Sequence, residues 1–209
     1  MSRPPIIIKG LVKGNHVRKM LIRVANLWVV KEKNGLHHLE MVIQDAKGDQ
    51  IHVTTRNREF KDCIEQLIEN ETYCLYNGDH MVNEGNFKVC LNKLKLVFNG
   101  GTTISKMEIT AILPHQFKFK PNVDFLNAFS ENFNSTLDVV GVLQDVVKTQ
   151  TDGGGKKPCV NITLCDEAGN VIEVALWEDY GKQFMNNNNS NNSPGPTLLI
   201  LTHAWFKEN

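Results

Sequence analysis

The sequence predicts an all-β chain with short helices, folded as two five-stranded Greek-key barrels in tandem, the second shortened at its C-terminus. Three observations predict it. Short β-rich runs recur with turn signals between them, a short helical pattern interrupts each set of runs, and the second half repeats the order of the first. With 209 residues, 41% hydrophobic and 23 basic against 23 acidic side chains, the chain can bury a core, and its balance excludes a disordered polymer. No run of 18 apolar residues is present.

In the first copy, residues 21–30 are β-branched and apolar, and Leu39, Met41 and Ile43 alternate with His38, Glu40, Val42 and Gln44. Both segments read as strands. Asp45-Ala46-Lys47-Gly48-Asp49 is a turn, and Ile51 and Val53 mark a third strand that completes a hairpin. The period then changes: Phe60, Cys63, Ile64, Leu67 and Ile68 recur at three- and four-residue steps, which is one amphipathic helix. Strands return at 72–76, 80–82 and 87–98, broken by Asn77-Gly78 and Asn83-Glu84-Gly85-Asn86.

The second copy follows 121 positions on. Leu39, Met41, Ile43, Asp45, Gly48, Ile51 and Val53 correspond to Val160, Ile162, Leu164, Asp166, Gly169, Ile172 and Val174. A strand at 137–147 precedes this block and a helical stretch at 178–185 follows it. The expected organisation is a first domain over 1–110 with a basic N-terminal arm, a linker over 111–134 and a second domain over 135–209. Within the linker, Phe117-Lys118-Phe119-Lys120 alternates rings and charges between Pro114 and Pro121. The Asn-rich tract 186–196 reads as a disordered loop, and 197–204 as a fourth strand. No full fifth strand is expected beyond it, so the second barrel has an open edge, available to a protein partner or to the linker. A helix inserted after the third strand selects the OB type of barrel over an SH3-like one.

Neutral overall charge hides an asymmetry. Residues 1–110 carry 16 basic and 12 acidic side chains, whereas residues 111–209 carry 7 and 11. Positions 1–33 hold eight cations against Glu32 alone, a field able to attract a polyanion. The first nine residues show three consecutive apolar side chains and no cleavage pattern, so no secretory leader is expected. Cys63, Cys74, Cys90, Cys159 and Cys165 form an odd set without a C-x-x-C pair and read as reduced thiols. His37, His38, His52 and His80 lack ligand spacing, and no metal or other cofactor is expected. Gly153-Gly154-Gly155-Lys156-Lys157 lacks the spacing of a phosphate-cradling loop, and there is no G-x-S-x-G or H-E-x-x-H, so the chain is not read as an enzyme.

Asp166-x-x-Gly169 followed by Val174-Ala175-Leu176-Trp177-Glu178-Asp179 resembles the second single-stranded-DNA-binding OB domain of the replication protein A large subunit. The first copy, with Asp45-x-x-Gly48-Asp49-x-Ile51-His52-Val53 and Leu96-Val97-Phe98-Asn99-Gly100-Gly101-Thr102, is similar to the first such domain of plant-type members. The resemblance implies sequence-independent binding of single-stranded DNA in replication, repair or recombination, in the nucleus, by base stacking and phosphate contacts. RNA offers the same chemistry, and the sequence leaves that choice open. An alternative is an OB-fold adaptor that has lost most DNA binding. The zinc-bearing C-terminal domain that assembles the family's heterotrimer has no counterpart here, so assembly by that route is not expected.

Stacking rings contribute about 1–3 kcal/mol per base, and a basic groove holds the backbone. The resemblance places Trp177 at the stacking position on the third strand of the second domain, and the 121-residue offset sets Arg56 opposite it, with Arg58 two residues on. Lys31 and Lys33 fall in the first domain's basic loop, Lys156 and Lys157 in the second's. Tyr76 is the aromatic candidate on the fourth strand, and Lys88, Lys93 and Lys95 alternate with apolar residues in a pattern that fits either a groove rim or an ordinary solvent face. At the two stacking positions of the first domain the sequence shows Leu39 and Leu75, with His38 and Tyr76 adjacent. Trp28, among Leu27, Val29 and Val30, reads as core.

Overall fold

The structure, a computed structural model, describes residues 4–13, 19–84, 88–114, 116–127, 136–150, 157–190 and 195–205. The chain divides into two compact units, Met1–Gln116 and Phe117–Asn209.

The first unit holds strands β1 (Met20–Lys31), β2 (His37–Gln44), β3 (Gln50–Thr55), β4 (Thr72–Tyr76), β5 (Asp79–Val82), β6 (Leu94–Phe98) and β7 (Thr103–Lys106) in one sheet, ordered β5-β6-β3-β2-β1-β4-β7. All neighbours run antiparallel except β3 and β6, which are parallel. Only Asn77 and Gly78 separate β4 from β5, and two residues span at most about 7 Å. The two flanks of the sheet must therefore meet, and it curls into an OB barrel. Alternate residues point inward: Leu39, Met41, Ile43, Ile51, Val53 and Leu96 are fully buried.

Helix α1 (Phe60–Gln66) lies between β3 and β4, as its period predicts. Cys63 and Leu67 enter the core, but Ile64 is exposed on the short helix, and Ile68, also exposed, lies past its end at Gln66. The buried Tyr73 hydroxyl donates to Gln66 O at 3.0 Å and accepts from Ile68 N–H at 2.8 Å, fixing the exit of that helix. The strand expected over 87–98 covers only Leu94–Phe98: Asn92 Oδ1 accepts from Leu94 N–H and bends the chain before it. Phe87 lies outside the described residues. The short strand β7, unmarked by any long apolar run, pairs with β4.

Two connecting segments are fastened down. Part of the basic arm forms a strap: Ile6 bridges Met20 in parallel, and a short 3-10 helix (Ile8–Gly10) buries Ile8 completely. Arg3 and Arg18 of that arm lie outside the described residues. The stretch expected as a linker serves both units. The Arg23 guanidinium donates to the carbonyls of Ile112 and Asn70, and Gln44 Nε2 to that of Leu113, which binds 111–113 to the first unit. In the second unit Phe119 bridges Asp138, and helix α2 (Asn122–Leu126) sends Phe125 into the second core.

The second unit has β8 (Leu137–Gln150), β9 (Cys159–Cys165), β10 (Val171–Trp177) and β11 (Leu198–Ala204), ordered β10-β9-β8-β11, all antiparallel. Among the described residues no strand stands beside β10 where β6 stands beside β3. Val174 and Leu176 are accordingly only half-buried, whereas Val53 is fully buried. Helix α3 (Asp179–Ser190) corrects the expectation for the Asn-rich tract, since residues 186–190 are helical. Phe184 and Gly181 anchor the helix on the sheet, Gly181 so closely that an added Cβ would meet Leu176 O at 2.8 Å. Asparagine costs a helix only about 0.7 kcal/mol per residue, so an anchored helix can run on through it. Residues 191–194 lie outside the described residues.

The sequence repeat is a repeat of geometry. Met41 pairs with Val53 and Ile162 with Val174, Ile43 with Ile51 and Leu164 with Ile172. Gly48 and Gly169 both have left-handed φ, +76° and +84°, and each N–H donates to the carbonyl of the aspartate three residues before it. Asp45 Oδ2 accepts from Ile8 N–H at 2.8 Å, and Asp166 Oδ2 from Asn122 N–H at 3.0 Å, so each turn aspartate also ties down the strap ahead of its barrel.

Asp45→Ala would strand the N–H groups of Ile8, Lys47 and Asp49. A loss of about 2–3 kcal/mol is expected, read as a lower urea midpoint. At Asp166 burial pushes the carboxyl up, but hydrogen bonds from Asn170, Asn122 and Ala168 outweigh it and hold it below its ordinary value of 3.8. A depressed folded pKa contributes stability above the unfolded value, lost as pH falls through the folded one. Acid titration followed by circular dichroism should show this loss below about pH 4, and Asp166→Asn should reduce it.

Candidate nucleic-acid interface

In an OB barrel the face of the second and third strands, with the loop joining the first two, receives oligonucleotides. In the first unit Lys31 ends β1, Lys33 sits in the following turn, and Arg56 and Arg58 follow β3, all four exposed. One side chain gathers them. Asn57 Nδ2 donates to Glu32 Oε1 at 3.0 Å and to His37 O at 3.3 Å, binding the β1–β2 turn to the segment after β3. That hydrogen bond, with one from Asn34, holds the Glu32 carboxyl below its ordinary range despite some desolvation. The β1–β2 turn and the segment after β3, tied together by Asn57, thus carry four exposed cations.

Trp177 is half exposed at the end of β10, opposite Cys159. The shared register gives Arg56 the same place in the first unit, after β3. Beside Trp177, Lys157 pairs with Glu178 at 2.7 Å, so this lysine is partly neutralised. Lys156 lies outside the described residues. Tyr76 stands apart from the cationic rim: it ends β4, with Lys19 Nζ 5.9 Å from its ring centroid, near the start of β1, whereas Lys31 is at the other end of that strand. Lys88 is half-buried between β5 and β6. Leu39 and Leu75 are fully buried and cannot stack on a base.

The open part of the same face carries residues that the sequence pattern concealed. Trp28 is outside the core. A register shift between Val24 and Asn26 inserts one extra residue into β1, so Val24 and Leu27 point inward and Trp28 outward. Its ring lies parallel to that of His52, with centroids 6.1 Å apart and 10° between planes. Around them, His38 Nδ1 is 3.1 Å from Glu32 Oε1, while His38 Nε2 and His52 Nε2 each stand 3.6 Å from a Glu40 oxygen. The signal available in the sequence was the polar alternation of His38 and Glu40 on one strand and His52 and Thr54 on the next.

The fold and this face define a protein of tandem OB-fold units. The family model of the domain of unknown function DUF223 matches residues 8–121, and the chain belongs to that family. It is similar to a replication protein A 70 kDa DNA-binding subunit of Arabidopsis thaliana, 28% identical over 141 residues, covering 65% of this chain and 18% of that protein. A replication protein A 70 kDa DNA-binding subunit of Oryza sativa subsp. japonica is 24% identical over 185 residues, covering 84% and 29%. The chain thus spans less than a third of the length of these curated relatives. Among solved structures, a replication protein A heterotrimer bound to single-stranded DNA superposes with a TM-score of 0.60 at 17% identity, covering 93% of this chain and 46% of that one. This likeness shows the OB fold in both units.

Burial pushes the Glu40 carboxyl up, but His52 and His38 outweigh that and leave it below its ordinary value of 4.5. By the same linkage, Glu40 contributes stability above the unfolded pKa and loses it as pH falls through the folded one. Denaturant midpoints measured between pH 7 and pH 3 should fall below about pH 4.5, and less steeply in Glu40→Gln.

Proposed function

We propose that the chain binds single-stranded DNA with little sequence preference, in nuclear replication, repair or recombination. Phosphates meet Lys31, Lys33, Arg56, Arg58, Lys88, Lys156 and Lys157, and bases stack on Trp177 and Tyr76. The observation that carries this reading is the cationic rim gathered by Asn57 on the ligand face of an OB barrel. The relatives' names, DNA-binding subunits of replication protein A, support it. Arg56 adds a planar guanidinium that can stack on a base and hold a phosphate.

A second reading, an OB-fold adaptor for a protein partner, draws on the outer edges of β10 and β11, which carry no paired strand among the described residues. It also draws on the acidic balance of residues 111–209.

Polarisation of a labelled oligothymidine of about 20 nucleotides separates the two. DNA binding predicts an affinity that falls with salt, the logarithmic slope losing about 0.7 per phosphate contact removed. Trp177→Ala should weaken binding by about 5- to 150-fold, the equivalent of about 1–3 kcal/mol for one stacked base. Arg56→Ala should weaken it and flatten the salt slope. Folded protein that ignores oligonucleotide at low salt would leave the adaptor reading standing.

A further inference from the structure

The cluster on the open face of β1, β2 and β3 is unlike a structural ion pair. His52 is 7% exposed, yet its Nε2 has no hydrogen-bond partner in the protein. The nearby Glu40 Oε2 stands 3.6 Å away, beyond hydrogen-bonding range, and the Glu40 side chain is 25% exposed. A buried ring nitrogen is thus left without a hydrogen-bond partner beside a half-buried carboxylate and a tryptophan ring. Unsatisfied polar atoms of this kind cost stability and call for an explanation. An OB ligand face is where a ligand would supply the missing bonds.

We infer that the first unit holds one nucleobase on Trp28, with the base's hydrogen-bonding edge directed at Glu40 and His52. This rests on the single-stranded nucleic-acid reading above and adds a subsite and a preference to it. The chemistry defines the class of base. An ionised carboxylate only accepts hydrogen bonds, so it suits an exocyclic amine, as of cytosine, adenine or guanine. Thymine and uracil offer one N–H flanked by two carbonyls, and those oxygens are repelled by the carboxylate. Glu32 faces His38 from the β1–β2 turn, and Lys95 stands opposite His52 on β6, a cation within the same sheet face for the adjoining phosphate.

The molecule carries its own reporter. In the full chain with Trp177→Phe and Trp205→Phe, Trp28 is the remaining tryptophan, and both replacements keep a ring at exposed positions. Labelled oligocytidine and oligothymidine of about 20 nucleotides are titrated while polarisation and tryptophan emission are read together. The expected result is quenching of Trp28 in step with binding, and oligocytidine bound about five-fold or more tighter than oligothymidine. Glu40→Gln should remove that difference. In the otherwise unchanged chain, Trp28→Leu, which keeps an apolar side chain on the sheet, should weaken oligocytidine binding about five-fold or more. Polarisation that rises while Trp28 emission stays constant, or equal affinity for the two oligonucleotides, would overturn the subsite and leave the DNA reading intact. Folded protein with all three tryptophans in place that binds neither oligonucleotide would overturn both.

Discussion

Each unit hangs on a single carboxylate in the turn between its second and third strands. Asp45 and Asp166 accept backbone N–H groups from their own turns and from a strap that precedes the barrel. A buried carboxylate is tolerated where donors converge on it, and charge-assisted bonds of this kind are about twice as strong as neutral ones. The consequence is positional. With the turn fixed, the pairing of the second and third strands is fixed, and with it the alternation that sends one set of side chains to the core and the other to the ligand face. The left-handed glycine three residues on, Gly48 or Gly169, lets the chain double back to meet that carboxylate.

The two units then diverge by what is laid on this shared frame. In the first, β6 joins β3 in parallel, and the segment at 111–113 covers the far end of the sheet through Arg23 and Gln44, leaving the end near the β1–β2 turn open. In the second, the outer residues of β10 and β11, including Val171, Leu198 and Ile200, are exposed. Charge follows the same division: free cations gather on the first unit's rim, whereas Lys157 beside Trp177 is matched by Glu178. The units present different chemistry from a common register.

Much of the fold was legible in the sequence because it rests on local rules. The alternation of Leu39, Met41 and Ile43, the Asp-x-x-Gly turn and the change of period at Phe60 are each short-range signals, and their recurrence 121 residues on made the tandem architecture readable. Arg56 and Trp177 were legible as equivalents for the same reason. What escaped depended on contacts distant in sequence. Trp28 looked like core because strict alternation from Val24 points it inward, and the inserted residue that reverses it leaves no mark in composition. The straps looked like an arm and a linker because their apolar residues follow no strand or helix period, and the groups that hold them, the turn aspartates among them, lie far along the chain. The asparagine tract looked disordered because its helix is begun by Phe184 and Gly181, upstream of the tract itself.

The bulge in β1 has an evolutionary reading. Because one surplus residue decides which side of the sheet every later side chain of the strand faces, gain of a single further codon between Asn26 and Leu27 would retract Trp28 and bring Leu27 outward, with no other residue changed. A barrel of this design can exchange a ring-bearing surface for an aliphatic one in one genetic step. Related copies with the same turn and the same core could therefore differ completely in what they touch.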